Sequence, residues 1–152
     1  IVFRPGNHSG AGQDTRFVLP AFADQIAKIE GGQLPPVVKV GSLTAMRDFL
    51  DVRDVVVAYC EVLRQDASRL RETFNVSSGD VLPIGNLLDM LLAMARVPIR
   101  VEQDSARLRA SDVPSARIDA TKLREWTGWH PRYALVDTVG AVLDDCRRHH
   151  GV

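Results

Sequence analysis

The chain has 152 residues, 45% of them hydrophobic and 25% charged, and its 19 basic and 19 acidic side chains leave no formal net charge. A folded chain of this length buries about 70% of its unfolded surface, which is enough for one domain with a hydrophobic core. The balanced charge argues against a partner such as a nucleic acid polymer, which is bound through massed lysines and arginines. No apolar run approaches the roughly 20 residues of a membrane span. Two cysteines, Cys60 and Cys146, are too few for a disulfide framework and fit a reduced, cytoplasmic protein.

The first residues predict a short strand. Residues 1–3 are all apolar, and the sequence has no initiating methionine. We therefore expect the sequence to begin inside a longer protein.

The next predicted element is a helix that follows a glycine-rich loop over residues 6–14. Asp14 or Thr15 is the predicted N-cap, and Gly31 with Gly32 the predicted end. Apolar side chains recur between them at the spacing of one helical face: Val18, Phe22, Ile26 and Ile29.

Short strands and helices alternate along the rest of the chain. Asp51 is the predicted N-cap of the second helix, with Asp54 three residues later in an arrangement similar to a capping box. The alternation predicts an α/β fold whose few strands resemble an incomplete sheet with helices along one rim. Short extended segments are predicted as strands at 37–40, 47–50, 73–76 and 99–102. Helical spacing and capping residues predict helices at 51–64, 84–95, 119–126 and 135–146.

The sequence contains none of the common self-contained catalytic motifs, such as G-x-S-x-G, H-E-x-x-H, C-x-x-C or a Walker phosphate loop. The final pair, His149 and His150, is interpreted as a solvated tail rather than as metal ligands, so no metal is expected. Cys60 and Cys146 lie among apolar neighbours on predicted helices and are interpreted as buried structural thiols.

The end of the first predicted strand is a candidate binding region. Arg4 and Asn7 lie there beside glycines, and ligands of open α/β sheets bind outside the carboxyl ends of the strands. The glycines Gly6, Gly10 and Gly12 do not have the G-x-G-x-x-G spacing of a dinucleotide loop. This segment is either a ligand-contacting loop or an ordinary surface turn, and both interpretations remain open.

Arg47 and Arg53 are candidates for phosphate binding. Each precedes an aspartate, so either one can make a local surface ion pair of small energetic value. Alternatively, one guanidinium presents its planar fork to a phosphate or diphosphate. Spacing does not decide between these alternatives.

A second candidate segment lies at residues 107–112, where two arginines stand beside Ser111 and Asp112. Arginine suits a diphosphate, and a carboxylate accepts hydrogen bonds from a ribose diol. Spacing alone favours a solvated polar loop.

Several motifs occur in order along the chain, at residues 4–13, 17–23, 40–54, 74–79, 122–123 and 128–131. Together they resemble the carboxyl-terminal half of the extended short-chain dehydrogenases/reductases, the NAD-dependent epimerase/dehydratase family. Within that family the chain is most similar to the nucleotide-sugar enzymes. The segments RDFLDVRD at 47–54 and RLRASDVP at 107–114 favour the GDP-4-dehydro-6-deoxy-D-mannose reductases over the GDP-mannose 4,6-dehydratases.

The resemblance implies a Rossmann fold that binds NADP or NAD and a smaller domain that binds the nucleotide sugar. It also implies that the helix from Phe17 onward borders the guanine pocket. The residue roles that it implies are substrate binding by Asn7, diphosphate binding by Arg47 and Arg109, ribose binding by Asp112 with Ser111, and contact with the nicotinamide end of the cofactor by Arg4 and Pro5.

The resemblance further implies that residues 1–152 are the substrate-binding half of a larger enzyme, which reduces the C4 keto group of GDP-4-dehydro-6-deoxy-D-mannose and forms a homo-oligomer. The glycine-rich cofactor loop and the Tyr-x-x-x-Lys pair of that family do not occur in this sequence, so the resemblance implies no catalytic residue within it. Three alternatives stay open: a GDP-mannose 4,6-dehydratase, a nucleotide-sugar 4-epimerase, and a non-catalytic nucleotide-sugar-binding or structural module.

Overall fold

The computed structural model describes residues 1–66, 71–107 and 115–152, and within them strands and helices alternate as an α/β fold requires. Three predicted binding residues, Arg109, Ser111 and Asp112, lie outside the described residues. The strands are β1 Val2–Pro5, β2 Asn7–Ser9, β3 Val37–Val40, β4 Met46–Asp51, β5 Thr73–Val76, β6 Val81–Pro83, β7 Arg100–Gln103 and β8 Ser115–Ala116. The helices are α1 Val18–Glu30, α2 Val52–Leu63, α3 Ile84–Ala93, α4 Thr121–Thr127 and α5 Leu135–His150, and a 3₁₀ turn spans Ser105–Arg107.

Most of the strand pairing is parallel and joins segments far apart in the sequence. β1 pairs with β5, and β3 pairs with β7. β4 is the central strand of a third sheet. It pairs in parallel with β2 and β8 and in antiparallel orientation with β6. The β2–β4 register sets Asn7 opposite Phe49, so the end of the first strand region lies directly beside β4.

β4 lies between two hydrophobic clusters. Phe49 packs into a cluster built mainly by α1, α3, α5 and β3, whereas Leu50 packs into one built by α2, α4, β5 and Trp129. Successive side chains of a strand point to opposite faces, so one strand serves both clusters. The alternation fixes the face on which Arg47 and Phe49 lie.

The structure overturns the predicted N-cap of α1 and confirms that of α2. α1 begins at Val18 after Phe17, with no side-chain cap. Asp14 instead accepts a hydrogen bond from the Arg16 backbone N–H at 2.8 Å, so the prediction of Asp14 or Thr15 as the cap was wrong. The N-cap of α2 is confirmed, because the Asp51 carboxylate accepts a hydrogen bond from the Arg53 N–H at 2.8 Å.

The capping-box interpretation of Asp54 was wrong. Its buried carboxylate accepts hydrogen bonds from the backbone N–H groups of Arg132 at 3.0 Å and Tyr133 at 3.1 Å. These bonds fix the segment between α4 and α5.

The prediction of two buried thiols is wrong for Cys60, whose thiol is exposed. Cys146 is half-buried, and its burial raises the pKa of its thiol to about 11.

No helix within residues 1–66, 71–107 and 115–152 is long and apolar enough to cross a membrane.

Candidate functional site

A cavity of about 640 Å³ opens between β2, β4, the end of β3, the first turn of α1 and the 3₁₀ turn at Ser105–Arg107. Its volume lies within the range of small-molecule pockets, about 300–1,000 Å³. Among the residues that carry the sequence-based predictions, it brings together Asn7, Arg47 and Phe17. Arg4 and Pro5 end β1 and are not among its lining residues.

Positive charge dominates the described wall of this cavity. The four cationic lining residues are Arg16, Lys39, Arg47 and Arg107, and no carboxylate side chain lines the cavity in the described part of the chain. Two of the cations also pair with aspartates just outside: Arg16 Nε lies 3.0 Å from Asp14, and Arg107 Nε lies 3.4 Å from Asp104. A concave surface lined by one sign of charge attracts ligands of the opposite sign, so the cavity suits an anion.

Strand alternation explains why Arg47 lies in the cavity. Arg47 and Phe49 project from the lining face of β4, while Asp48 between them is buried against the turn that follows β5. Arg47 Nη1 donates a hydrogen bond to the Met46 carbonyl oxygen at 2.8 Å, which holds one side of the guanidinium. The planar fork of an arginine matches two phosphate oxygens at once.

Arg53 does not line the cavity. Its Nε and Nη2 donate to the two oxygens of Asp51 at 2.8 Å and 2.7 Å, and its guanidinium stacks 3.7 Å from the Tyr133 ring centroid. The hydrogen bond to Asp51 raises the pKa of Arg53. Of the two arginines that spacing left undecided, the structure therefore places Arg47 in the cavity and Arg53 in a local ion pair.

The first turn of α1 supplies a feature that the sequence-based prediction missed. Val18 and Leu19 line the cavity, and the helix has no side-chain cap on its N-terminal N–H groups. The unpaired N–H groups and the helix dipole make such a terminus a favourable place for a phosphate. The missing cap leaves this terminus open to an anionic ligand. The sequence-based analysis missed this feature because it predicted Asp14 or Thr15 as the cap.

β2 adds polar groups to the same wall. Asn7 is exposed to the cavity opening, and His8 follows it, half-buried. The His8 Nδ1 donates to the Gly6 carbonyl oxygen at 3.0 Å, which assigns the proton to Nδ1 because a carbonyl only accepts. Gln13 holds the adjoining loop by donating to the His8 carbonyl oxygen at 3.0 Å. Sequence reasoning named Asn7 but not His8, since β2 carries no apolar alternation.

A second cavity, of about 600 Å³, shares Phe49 with the first, and Ser78, His130 and Tyr133 contribute to its wall.

No group of three or more His, Cys, Asp or Glu side chains able to hold a metal occurs among the residues that the structure describes. The predicted roles of Arg4, Pro5, Arg109, Ser111 and Asp112 stay predictions.

A cationic cavity beside parallel strands, with a helix N-terminus in its wall, is typical of anion-binding sites in α/β proteins. The structure of RMD from Pseudomonas aeruginosa complexed with NADPH superimposes with a TM-score of 0.88 at 33% identity, over 97% of this chain and 48% of that chain. The fold is that of the Rossmann-type extended short-chain dehydrogenases/reductases, as the sequence predicts.

Sequence comparisons assign the family. A family model described as GDP-mannose 4,6 dehydratase matches residues 1–141. The GDP-6-deoxy-D-mannose reductase of Pseudomonas aeruginosa is 35% identical over 145 residues, covering 95% of this chain and 47% of the relative. The dTDP-6-deoxy-L-talose 4-dehydrogenase of Kitasatospora kifunensis is 28% identical over 141 residues, covering 91% and 43%. The chain belongs to this GDP-mannose 4,6-dehydratase family of extended short-chain dehydrogenases/reductases, and it spans about half the length of the curated relatives it matches.

Proposed function

We propose that the chain binds the diphosphate of a GDP-sugar in the cationic cavity. The observation that carries this proposal is the wall itself, where Arg47 and the uncapped first turn of α1 face the same space and no described carboxylate does. In this role Arg47 holds diphosphate oxygens with its planar fork, and the Val18 and Leu19 N–H groups receive the negative charge at the helix terminus. Asn7 offers both amide donors and an acceptor to the sugar hydroxyls. We also propose that Arg109 binds the diphosphate and that Ser111 and Asp112 bind the ribose.

We further propose that the chain is the substrate-binding half of an oxidoreductase that reduces the C4 keto group of GDP-4-dehydro-6-deoxy-D-mannose. The similarity to the Pseudomonas aeruginosa reductase supports this reaction and a nicotinamide cofactor, with NADP(H) favoured over NAD. A cytoplasmic location and a homo-oligomeric whole protein are parts of the same proposal. The cysteines, both free thiols, are compatible with a reducing compartment.

The described residues do not form a phosphate loop for a dinucleotide. β1 is followed directly by β2 rather than by a helix, and Gly6, Gly10 and Gly12 lack the required spacing. The main cofactor site therefore belongs, in this proposal, to residues outside this sequence, with Arg4 and Pro5 at its nicotinamide end. When bound, the cofactor supplies the hydride. The residues of this chain bind and orient the nucleotide sugar.

A second candidate is a GDP-mannose 4,6-dehydratase, because the matching family model carries that description. Both enzymes take a GDP-sugar, so the cavity does not separate them. Incubation of the longer protein with GDP-mannose and, separately, with GDP-4-dehydro-6-deoxy-D-mannose separates them by product: a dehydratase consumes the first, and a reductase with NADPH consumes the second.

Calorimetric titration of the 152-residue chain with GDP-mannose tests the binding proposal. A hydrogen bond to a charged group is worth about 1.5–3 kcal/mol, so Arg47→Ala is expected to weaken binding by about tenfold or more. Arg64→Ala is the matched control, because Arg64 is an exposed arginine paired with Glu61 away from the cavity. Equal affinity of both variants, or no binding by the parent chain, contradicts the proposal.

A further inference from the structure

The loop between β2 and α1 joins two parts of the cavity wall. It begins after Asn7 and His8, which line the cavity from β2, and it leads to the first turn of α1. The loop therefore sets the distance between the amide proposed for the sugar hydroxyls and the helix terminus proposed for the diphosphate. Contacts that fix this loop also fix the spacing of these two parts of the site.

Two contacts hold the loop to its neighbours in the sequence and in the fold. Gly10 is buried against α2, where a Cβ on Gly10 would lie 2.6 Å from Val52 Cγ1, so a larger residue does not allow this approach. The Gln13 carboxamide accepts from the Ser9 hydroxyl at 2.5 Å and donates to the His8 carbonyl oxygen at 3.0 Å. Gln13 thereby ties the end of the loop back to β2.

A further contact comes from α5. The Asp145 carboxylate accepts a hydrogen bond from the Gly12 backbone N–H at 2.7 Å, across 133 residues of sequence. Gly12 has a φ of +83°, in the left-handed region that favours glycine, and it directly precedes Gln13. The Gly12 hydrogen bond lowers the pKa of the Asp145 carboxyl, so the acceptor is charged at neutral pH. A charged acceptor makes a stronger hydrogen bond than a neutral one.

Asp145 itself lies outside the cavity. It is not among the lining residues, and its side chain is 19% exposed. On its own helix, Arg148 Nη2 lies 2.9 Å and His149 Nδ1 lies 3.8 Å from its carboxylate oxygens. Neither pair leaves α5, so the Gly12 bond is the described contact that links Asp145 to the cavity wall.

We propose that Asp145 is a positioning residue for nucleotide-sugar binding, which holds the loop between β2 and α1 in the arrangement that the ligand needs. When the loop is fixed before the ligand arrives, the free-energy cost of ordering it does not weaken binding. The inference rests on the proposed function, which assigns the sugar hydroxyls to Asn7 and the diphosphate to Arg47 and α1.

The charge of Asp145 alone would act in the opposite direction. A negative charge near a cationic cavity repels an anionic ligand, so its removal would tighten binding. The sign of the change in affinity therefore separates a positioning role from an electrostatic one.

Calorimetric titrations of the chain with GDP-mannose and with inorganic pyrophosphate test this role. Asp145→Ala is expected to weaken GDP-mannose binding by about tenfold, because the loop is then ordered only when the ligand binds. Pyrophosphate lacks the sugar that Asn7 would bind, so its affinity should change by less than about threefold. Asp145→Asn keeps a carbonyl oxygen for the Gly12 N–H and is expected to bind GDP-mannose within about threefold of the parent chain.

Arg148→Ala is the matched control, because it removes a partner of the same carboxylate and leaves the bond to the loop. It should bind GDP-mannose as the parent chain does. Hydrogen–deuterium exchange of the free chain gives a readout that needs no ligand. Amides of residues 7–13 should exchange faster in Asp145→Ala than in Arg148→Ala or in the parent chain.

Two results overturn the positioning role and leave the diphosphate site standing. The first is GDP-mannose binding by Asp145→Ala that is as tight as that of the parent chain or tighter. The second is exchange that is unchanged over residues 7–13, or faster throughout the chain, because Asp145 then supports the whole fold or nothing in the loop. No binding of either ligand by the parent chain overturns both proposals.

Discussion

At the scale of single residues, three buried aspartates at the junction of β4 and α2 hold three different parts of the chain. Asp48 accepts hydrogen bonds from Ser78 N–H, Ser78 Oγ and Gly79 N–H at 2.8–3.0 Å. Asp51 caps α2 and accepts from Thr138 of α5, and Asp54 holds the segment before α5. Each carboxylate is satisfied by donors from a distant segment, which fixes the strand that carries Arg47.

Asp48→Asn is expected to destabilise the fold by about 1–3 kcal/mol, the usual cost of an unsatisfied buried hydrogen-bonding group. Asp48 is 1% exposed, and an amide NH₂ placed against an N–H donor loses an acceptor that no water replaces. Urea unfolding followed by circular dichroism measures the change. Asp80→Asn, at an exposed position on the same turn, is the control and should leave the midpoint unchanged. Equal midpoints for both variants would refute the role given to Asp48.

At the scale of elements, one buried arginine joins three helices. Arg147 of α5 donates from Nε and Nη2 to the Glu30 carboxylate at the end of α1, at 2.8 Å and 2.9 Å. Its Nη2 also donates to the Met94 carbonyl oxygen after α3 at 2.8 Å. The hydrogen bond from Arg147 lowers the pKa of Glu30 below its ordinary value of 4.5. The helices that enclose the first hydrophobic cluster are therefore fixed at one end by an ion pair.

This ion pair predicts a pH dependence of stability. Because folding lowers the pKa of Glu30, the unfolded chain binds the proton more readily, so the contribution of Glu30 is fully present above pH 4.5 and is lost as the pH falls through the folded pKa. Glu30→Gln is expected to cost about 3 kcal/mol at pH 7, where it leaves Arg147 without its main partner. Thermal unfolding at pH 7 and pH 3 tests this.

The difference in stability between the parent chain and Glu30→Gln should shrink at pH 3. Asp144→Asn serves as the control, since Asp144 also contacts Arg147, at 3.0 Å, but is mostly exposed. A Glu30→Gln penalty of the same size at both pH values would argue against the ion pair.

At the scale of the whole molecule, α2 has apolar side chains on two sides. Val55, Ala58 and Val62 are buried in the second hydrophobic cluster. Val56 and Leu63 on the other side are 53% and 70% exposed. Contiguous exposed apolar patches are typical of surfaces that another protein covers, so this side of α2 is a candidate for such a contact.

We expect the isolated chain to self-associate through this side of α2. Multi-angle light scattering should report a mass above that of the monomer, and Val56→Lys with Leu63→Lys should lower it. Val136→Lys, which changes an exposed valine on α5, is the control and should leave the mass unchanged. A monodisperse parent monomer at high concentration contradicts this expectation.

The sequence allowed the elements with a clear apolar pattern to be predicted, but not the short polar ones. β3 is rich in valine and β5 alternates polar and apolar residues, and both were predicted with their observed bounds. β2, with the sequence Asn-His-Ser, has no apolar alternation and exists only because β4 pairs with it. Local pattern therefore missed the strand that carries His8 to the cavity.

The same division holds for the candidate site. The sequence offered both Arg47 and Arg53 as phosphate-binding candidates. Only the structure, in which Arg53 pairs with Asp51, shows that Arg53 is engaged elsewhere. The cavity role of α1 depends on the absence of a cap, and that is a property of backbone geometry rather than of residue type. The sequence around Lys39 does not indicate a binding site. Lys39 lines the cavity because β3 packs against α1.

The most direct test of the central claim compares the binding of GDP with that of guanosine by calorimetry, at low and at high salt. A cationic cavity that holds a diphosphate predicts that GDP binds far more tightly than guanosine, and that rising salt weakens GDP binding but not guanosine binding. Equal affinities for the two ligands, or GDP binding that does not change with salt, would contradict a diphosphate site at Arg47 and the first turn of α1.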